Sequence, residues 1–323
     1  MMYSRHPLAW FLLTLSLGVL SAAAQLGPYP IATKQARFDG TLGKRDKDML
    51  WITRAGSDGR GGPQIGVPVA DIVQIQVPKP TVFSAAERLQ AAPRATDAQF
   101  KAVHDALDQL IRTLRSFRDL PGIPVNEALL WKGRLYQKKG LWREAVRQYE
   151  DILMNTPSSP LATQAQILAG VAYEKMGEHQ FAVEYLGDVE LPEEDEELLS
   201  AMLYSMGNSY AALENHDNAL MAYLSLVVFY PYLYDNEARG LAAALDCYAA
   251  LEEWEPLYRT IQTIQATYPD TAAAKRAGEI ASEYQTQLGR AGHFVDGPKV
   301  VPDAEQTAVS GTTVDYSKPV GSN

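Results

Sequence analysis

The sequence predicts a mainly α-helical chain: a solenoid of stacked antiparallel helix pairs, preceded by a small β-rich segment. Three observations predict it. Gly133, Gly170 and Gly207 recur at a constant interval of 37 residues, each three residues before a tyrosine (Tyr136, Tyr173 and Tyr210). The residues that follow stay in register: Ala145, Ala182 and Ala219, then Tyr149, Leu186 and Tyr223. Between residues 25 and 80 the apolar spacing changes to a period of two, which is the signature of strands.

The repeat has a fourth, altered copy, with Leu245 and Tyr248 at the glycine and tyrosine places and Leu257 and Ile261 downstream. Pro157, Pro231 and Pro269 close three of the copies, and Glu194 stands at that place in the second. This pattern resembles the tetratricopeptide-repeat family, whose unit reads G-x-x-Y, then A-x-x-x-F, then P. The resemblance implies a pair of helices per unit, A and B. The glycine lets helix A approach helix B closely, and the alanine lies where the two cross. The tyrosine fills the space between neighbouring units. The proline ends helix B, because its ring and missing N–H stop the next turn. One such pair cannot bury its own apolar face, so units must stack. The ordinary unit has about 34 residues, so the interval of 37 adds a little helix or linker to each.

The expected units are residues 126–162, 163–199, 200–237 and 238–270. Upstream, Thr96 to Leu120 reads as an amphipathic helix, with Phe100, Val103, Leu107, Leu110, Ile111, Leu114 and Phe117 at helical spacing. With a short helix over Ser84–Ala92 it makes a degenerate repeat spanning 84–120. Thr271–Leu288 reads as a capping helix over the last apolar face, completing a helical array from 84 to 290.

The β-rich segment, 25–80, reads as four short strands around Phe38–Leu42, Met49–Thr53, Ile65–Val67 and Ile72–Val77, with turn material over 44–48 and 56–63. It suggests a small SH3-like or Sm-like curled sheet, too small for a core of its own and therefore packed on the helices.

The two ends carry different signals. Arg5 and His6 precede an apolar run from Leu8 to Leu20 and the small residues Ser21-Ala22-Ala23-Ala24. This is the pattern of a cleavable signal peptide over 1–24, and the run is shorter than the roughly 20 residues a membrane span needs. No cysteine follows it, so the expectation is an exported, periplasmic protein without a lipoprotein anchor or an integral span. The single cysteine, Cys247, cannot form an internal disulfide. Residues 291–323, rich in Gly, Pro, Ser and Thr, read as a disordered tail.

A net charge of −10 gives no electrostatic drive toward phosphate backbones, so nucleic acid is not an expected partner. No phosphate-binding loop, nucleophile elbow or zinc-ligand spacing occurs. His179 and His216 stand 37 residues apart, where the other units have Trp142 and Trp254, and read as ring-packing residues rather than metal ligands. Cys247 reads as a small buried residue. The acidic run Glu193–Glu197 reads as a solvated helix start. No catalytic residue, metal or cofactor is expected.

The family resemblance implies a non-catalytic scaffold that binds a protein or peptide in a concave groove lined by the A helices. By register the groove residues are Glu127, Trp131, Arg134, Gln137 and Lys138 in the first unit, then Gln164, Val171, Glu174 and Lys175 in the second. The third unit contributes Tyr204, Asn208 and Ala211, and the fourth Arg239, Asp246 and Ala250. This set lacks the two-lysine, two-asparagine clamp that some members use for a C-terminal carboxylate. With its expected signal peptide, the chain resembles exported, periplasmic tetratricopeptide-repeat scaffolds of Gram-negative bacteria, and that resemblance implies a role in cell-envelope assembly. The alternative is a glycan-binding or enzyme-associated module that uses the β segment, for which Trp51 and Phe38 are the candidate aromatics.

The mature chain should begin near Gln25. N-terminal sequencing of periplasmic material checks this, and Met1 retained in a membrane fraction would contradict it.

Overall fold

The structure, a computed structural model, describes residues 27–293 apart from 57–60, 188, 190–194 and 234. The expected signal peptide, most of the expected tail, and parts of the glycine-rich and acidic runs lie outside the described residues. The architecture is the expected one: a small antiparallel sheet followed by stacked helix pairs.

The sheet has five strands: β1 (Tyr29–Thr33), β2 (Arg37–Asp46), β3 (Met49–Ala55), β4 (Gly61–Pro68) and β5 (Ile72–Ile75). Their order is β4-β3-β2-β1-β5, so the chain meanders and then returns beside β1. Inward positions alternate with outward ones: Ile31, Leu42, Leu50, Ile52, Val67, Ile72 and Ile75 are buried. Sequence reasoning gave four strands and missed β1. Pro30 hid it, because a proline inside a run argues against a central strand. Here Pro30 lies just outside the β1–β5 ladder, which starts at Ile31↔Ile75, so its missing N–H breaks no bond on that side.

Helices α1 (Thr81–Ala91) and α2 (Asp97–Leu114) follow. A capping box starts α2: Thr96 Oγ1 accepts from the Gln99 N–H at 3.2 Å, and Gln99 Oε1 accepts from the Thr96 N–H at 2.9 Å. The expected helix to Leu120 is shorter than read. It tightens into a 3₁₀ turn at Arg115–Phe117 and ends where the sheet meets it, with Arg45 of β2 donating to the Ser116 carbonyl.

Four pairs come next: α3 (Val125–Lys138) with α4 (Trp142–Asn155), α5 (Ala162–Lys175) with α6 (His179–Gly187), α7 (Glu196–Ala212) with α8 (His216–Phe229), and α9 (Asn236–Ala250) with α10 (Trp254–Thr267). The expected single capping helix is instead two, α11 (Ala272–Glu283) and α12 (Gln285–Arg290), divided at Tyr284. Asp195 from the acidic run caps α7, accepting the Leu198 N–H at 3.0 Å.

Repeated residues make repeated bonds. Each A helix ends with the carbonyl of its repeat tyrosine accepting an N–H five residues on: Tyr136 from Leu141, Tyr173 from Glu178, Tyr210 from Asn215 and Tyr248 from Glu253. That closure needs a left-handed residue, which is Gly140, Gly177, Glu214 and Glu252 in turn. The two glutamates hold φ of 58°, where a side chain is strained and glycine is not. Each B helix before a proline ends alike, with Thr156, Tyr230 and Tyr268 outside helical geometry at ψ of 59°, 41° and 49°.

Inside each pair the repeat glycine faces one large side chain of helix B. A Cβ on Gly133 would strike the Tyr149 ring, and one on Gly207 would strike the Tyr223 ring. A Cβ on Gly170 would sit 2.5 Å from Leu186. In the fourth pair Leu245 and Ile261, both fully buried, divide that space differently. Ala145, Ala182 and Ala219 are fully buried at the crossings. One continuous core runs from the sheet through α1–α5, and a second fills α8–α12, with a small cluster around Ile167, Leu186 and Met202 between them.

Gly170→Leu should destabilise the array by about 1–3 kcal/mol through overpacking. Thermal unfolding checks the sign, and truncation of Leu186 to Ala in the same chain should recover part of the loss.

His104 on α2 lies 4.5 Å from the Tyr136 ring, with both nitrogens buried and unpartnered among the described residues. Burial first, then Lys132 and Lys139, lower its pKa, against Asp108 and Asp105, which raise it. A base with a depressed folded pKa binds fewer protons folded than unfolded, so stability present above about 6.5 is lost as pH falls through that value. Chemical denaturation from pH 7.5 to 5.5 should show this loss, and His104→Phe should reduce the slope.

Candidate functional site

The A helices lie side by side and present one face of each to a shared surface. On the described residues a cavity of about 550 Å³ opens there between α7, α9 and α11. Tyr204, Asn208 and Ala211 line it from α7, and Arg239 and Asp246 from α9; all five are groove residues named from the sequence. Its walls are largely alanine, including Ala238, Ala242, Ala243 and Ala273, and these small side chains leave the space open.

The polar groups of this surface are held in a chain across neighbouring helices. Glu174 Oε1 on α5 accepts from Asn208 Nδ2 at 3.0 Å, and Asn208 Oδ1 accepts from the Tyr223 hydroxyl at 2.9 Å. Burial pushes the Tyr223 hydroxyl well above its ordinary value, so it stays a donor. Lys175 pairs with Glu174 at 3.0 Å. Arg239 lies over the Tyr204 ring with its guanidinium carbon 4.0 Å from the centroid. Its Nη2 donates to Asn236 Oδ1 at 2.7 Å, and fully buried Asn236 is itself fixed by donating to the Tyr230 carbonyl at 3.1 Å. Asp246 pairs with Arg276 of α11.

The other named groove residues lie outside this cavity, and several of them take structural partners. Gln137 Nε2 donates to the Leu168 carbonyl at 3.1 Å, tying α3 to α5. Lys138 Nζ donates to the Gln90 and Ala92 carbonyls and so closes the C-terminus of α1. Trp131 packs on the core, with Arg134 5.5 Å above its ring. Gln164 and Val171 are half-buried on α5, and Ala250 is exposed at the end of α9. Sequence reasoning missed Arg276, because α11 was read only as a cap. The signal was present: 276−239 = 37, so Arg276 occupies the Arg239 place one unit on, and α11 is a further A helix.

A larger cleft of about 820 Å³ lies where the sheet meets α3, but its polar groups are mostly paired with one another. Arg118 donates to Asp151 Oδ1 at 2.6 Å and to Asn126 Oδ1 at 3.3 Å, and Asn126 donates to Ser159 Oγ at 3.2 Å. Burial raises the Glu127 carboxyl there, opposed by Lys79 and a hydrogen bond from Trp131.

Residues 127–159 match the tetratricopeptide-repeat family model. This stretch is a tetratricopeptide-repeat (TPR) unit. The matched stretch covers most of α3 and all of α4, and the same glycine contacts and helix closures recur in the helix pairs after it. Among solved structures, a putative kinesin light chain TPR-like repeat protein of Podosopora anserina is 17% identical, with 64% of this chain and 95% of that one covered at a TM-score of 0.45. The protein MamA is 17% identical, with 64% and 94% covered at 0.41. A tetratricopeptide repeat protein of Parabacteroides merdae is 14% identical, with 65% and 78% covered at 0.45. At these scores the likenesses add no weight to the identification. No curated protein matches the chain.

The remaining residues singled out by sequence have local roles. His179, His216, Trp142 and Trp254 each open a B helix. Trp254 packs 5.8 Å from Tyr284. Cys247 is buried on α9, and burial pushes its thiol up to about 11, away from nucleophilic use. On the β segment Phe38 lies under Arg54, 5.1 Å from its ring, and packs against the core. Trp51, 38% exposed, lies across Gly66 of the neighbouring strand. A Trp over a strand glycine stabilises the sheet, and among the described residues of the segment no second exposed aromatic accompanies it.

Among the described residues no helix is long and apolar enough to cross a membrane.

Proposed function

We propose that this chain is a non-catalytic protein-interaction scaffold of the bacterial cell envelope, and that it holds a segment of a partner protein on its helix-A face. The observation that carries this reading is the alanine-walled cavity between α7, α9 and α11, with a few oriented polar groups at its margin. A concave, mostly apolar site with few convergent polar groups is the usual form of a binding pocket, and this volume is in the usual range. TPR proteins bind protein partners, which supports a protein ligand over a small molecule.

Export belongs to the same proposal. It is supported by the basic, apolar and small-residue order of residues 1–24. The rival reading, in which the β segment binds glycan, finds one exposed aromatic where a row is needed.

Ala242→Trp places an indole in the cavity while leaving the outer faces of the array unchanged. Crosslinking capture from the native envelope should retain a partner with the wild-type chain and lose it with this variant. Equal capture by both, with equal thermal stability, would move the binding surface elsewhere.

A further inference from the structure

On the helix-A face Arg239 has a guanidinium that its surroundings orient but, among the described residues, do not neutralise. Arg239 stacks on Tyr204 and is steered by buried Asn236, yet among the described residues no carboxylate lies within ion-pair distance of it. Its Nε is buried without a hydrogen-bond partner. An unmet buried donor on a charged group is unfavourable, so the network within the chain leaves this guanidinium incompletely satisfied. The neighbouring Arg276 differs, since Asp246 and Glu279 already compensate it.

We propose that Arg239 and Tyr204 form a subsite for one acidic side chain, an aspartate or glutamate on an extended segment of the partner protein. This rests on the scaffold reading above and adds the chemistry of the ligand. Three features select a carboxylate. The guanidinium edge presents parallel N–H donors, which match the two oxygens of a carboxylate. The Tyr204 ring beneath fixes the plane of that edge, so little freedom is lost when the ligand docks. Asp235 and Asp246 line the same cavity wall, and their charges disfavour a dianionic phosphate more than a monoanionic carboxylate. The alanines around Arg239 leave room for the backbone on either side of the acidic residue.

The test uses a displayed library of random dodecapeptides, panned on the purified chain. Wild-type protein should enrich peptides that share one Asp or Glu. In a synthetic copy, changing that residue to Asn or Gln should weaken binding about tenfold or more. Arg239→Gln should weaken the acidic peptide by a similar factor and bind the acidic and amide peptides alike, and its melting curve should confirm a folded array. Four outcomes overturn the proposal: enrichment without a shared acid, no enrichment at all, an acid preference that survives Arg239→Gln, or a phosphoserine peptide that binds about tenfold tighter than its aspartate counterpart. Ala242→Trp separates the two levels. If it abolishes binding while Arg239→Gln does not, the groove stands and the subsite falls. If it leaves binding unchanged, the groove reading falls as well.

Discussion

The contact between the backbone of helix A and a large side chain of helix B sets the geometry of the pairs α3–α4, α5–α6 and α7–α8. Tyr149, Leu186 and Tyr223 each occupy the space that a side chain at the repeat glycine would need. Helix A and helix B therefore approach closely at a point fixed by sequence, and the buried alanines keep the crossing tight. Because interiors are close-packed, this spacing passes to the next unit through the shared side chains. Tyr173 shows the transfer: its hydroxyl donates to Glu150 of the preceding B helix at 2.6 Å. Tyr204, Asn208, Arg239 and Asp246 reach one cavity only because α7 and α9 stand at this separation.

The sheet joins the array through a seam that is covalently short and heavily bonded. Arg45 on β2 pairs with Asp119 and donates to the Ser116 carbonyl at 3.1 Å. The Ile75 N–H on β5 donates to the Pro121 carbonyl at 2.9 Å. Gly122 adopts φ of 88°, and a side chain there would strike the Ile75 carbonyl. Sheet and first helices consequently share one core, and the β segment is a cover for the leading end of the solenoid.

Much of the fold was legible because a repeat states the same packing rule several times. The glycine, alanine and tyrosine places carried the helix pairs, and period-two spacing carried the sheet. What escaped reading depended on context. β1 contains a proline whose harmlessness follows from where the β5 ladder begins. The early end of α2 follows from where the seam lies. The site was legible in part: register named five residues that share the cavity, but it could not tell that Lys138 and Gln137 are engaged by neighbouring carbonyls. Arg276 was missed because the period was not followed past the last proline.

The array closes at its C-terminal end on small contacts. α11 buries Ala273, Ala277, Ile280 and Ala281, and α12 behind it has six residues. Three alanines and one isoleucine remove little apolar surface from water, so this end opens by local unfolding more readily than the units around Tyr149. The cavity has α11 as one wall. Backbone amides of α11 therefore exchange with solvent through an opening that also dismantles the cavity. Any ligand seated between α9 and α11 slows that exchange in proportion to its occupancy, which links ordering of the terminal unit to recognition on the helix-A face.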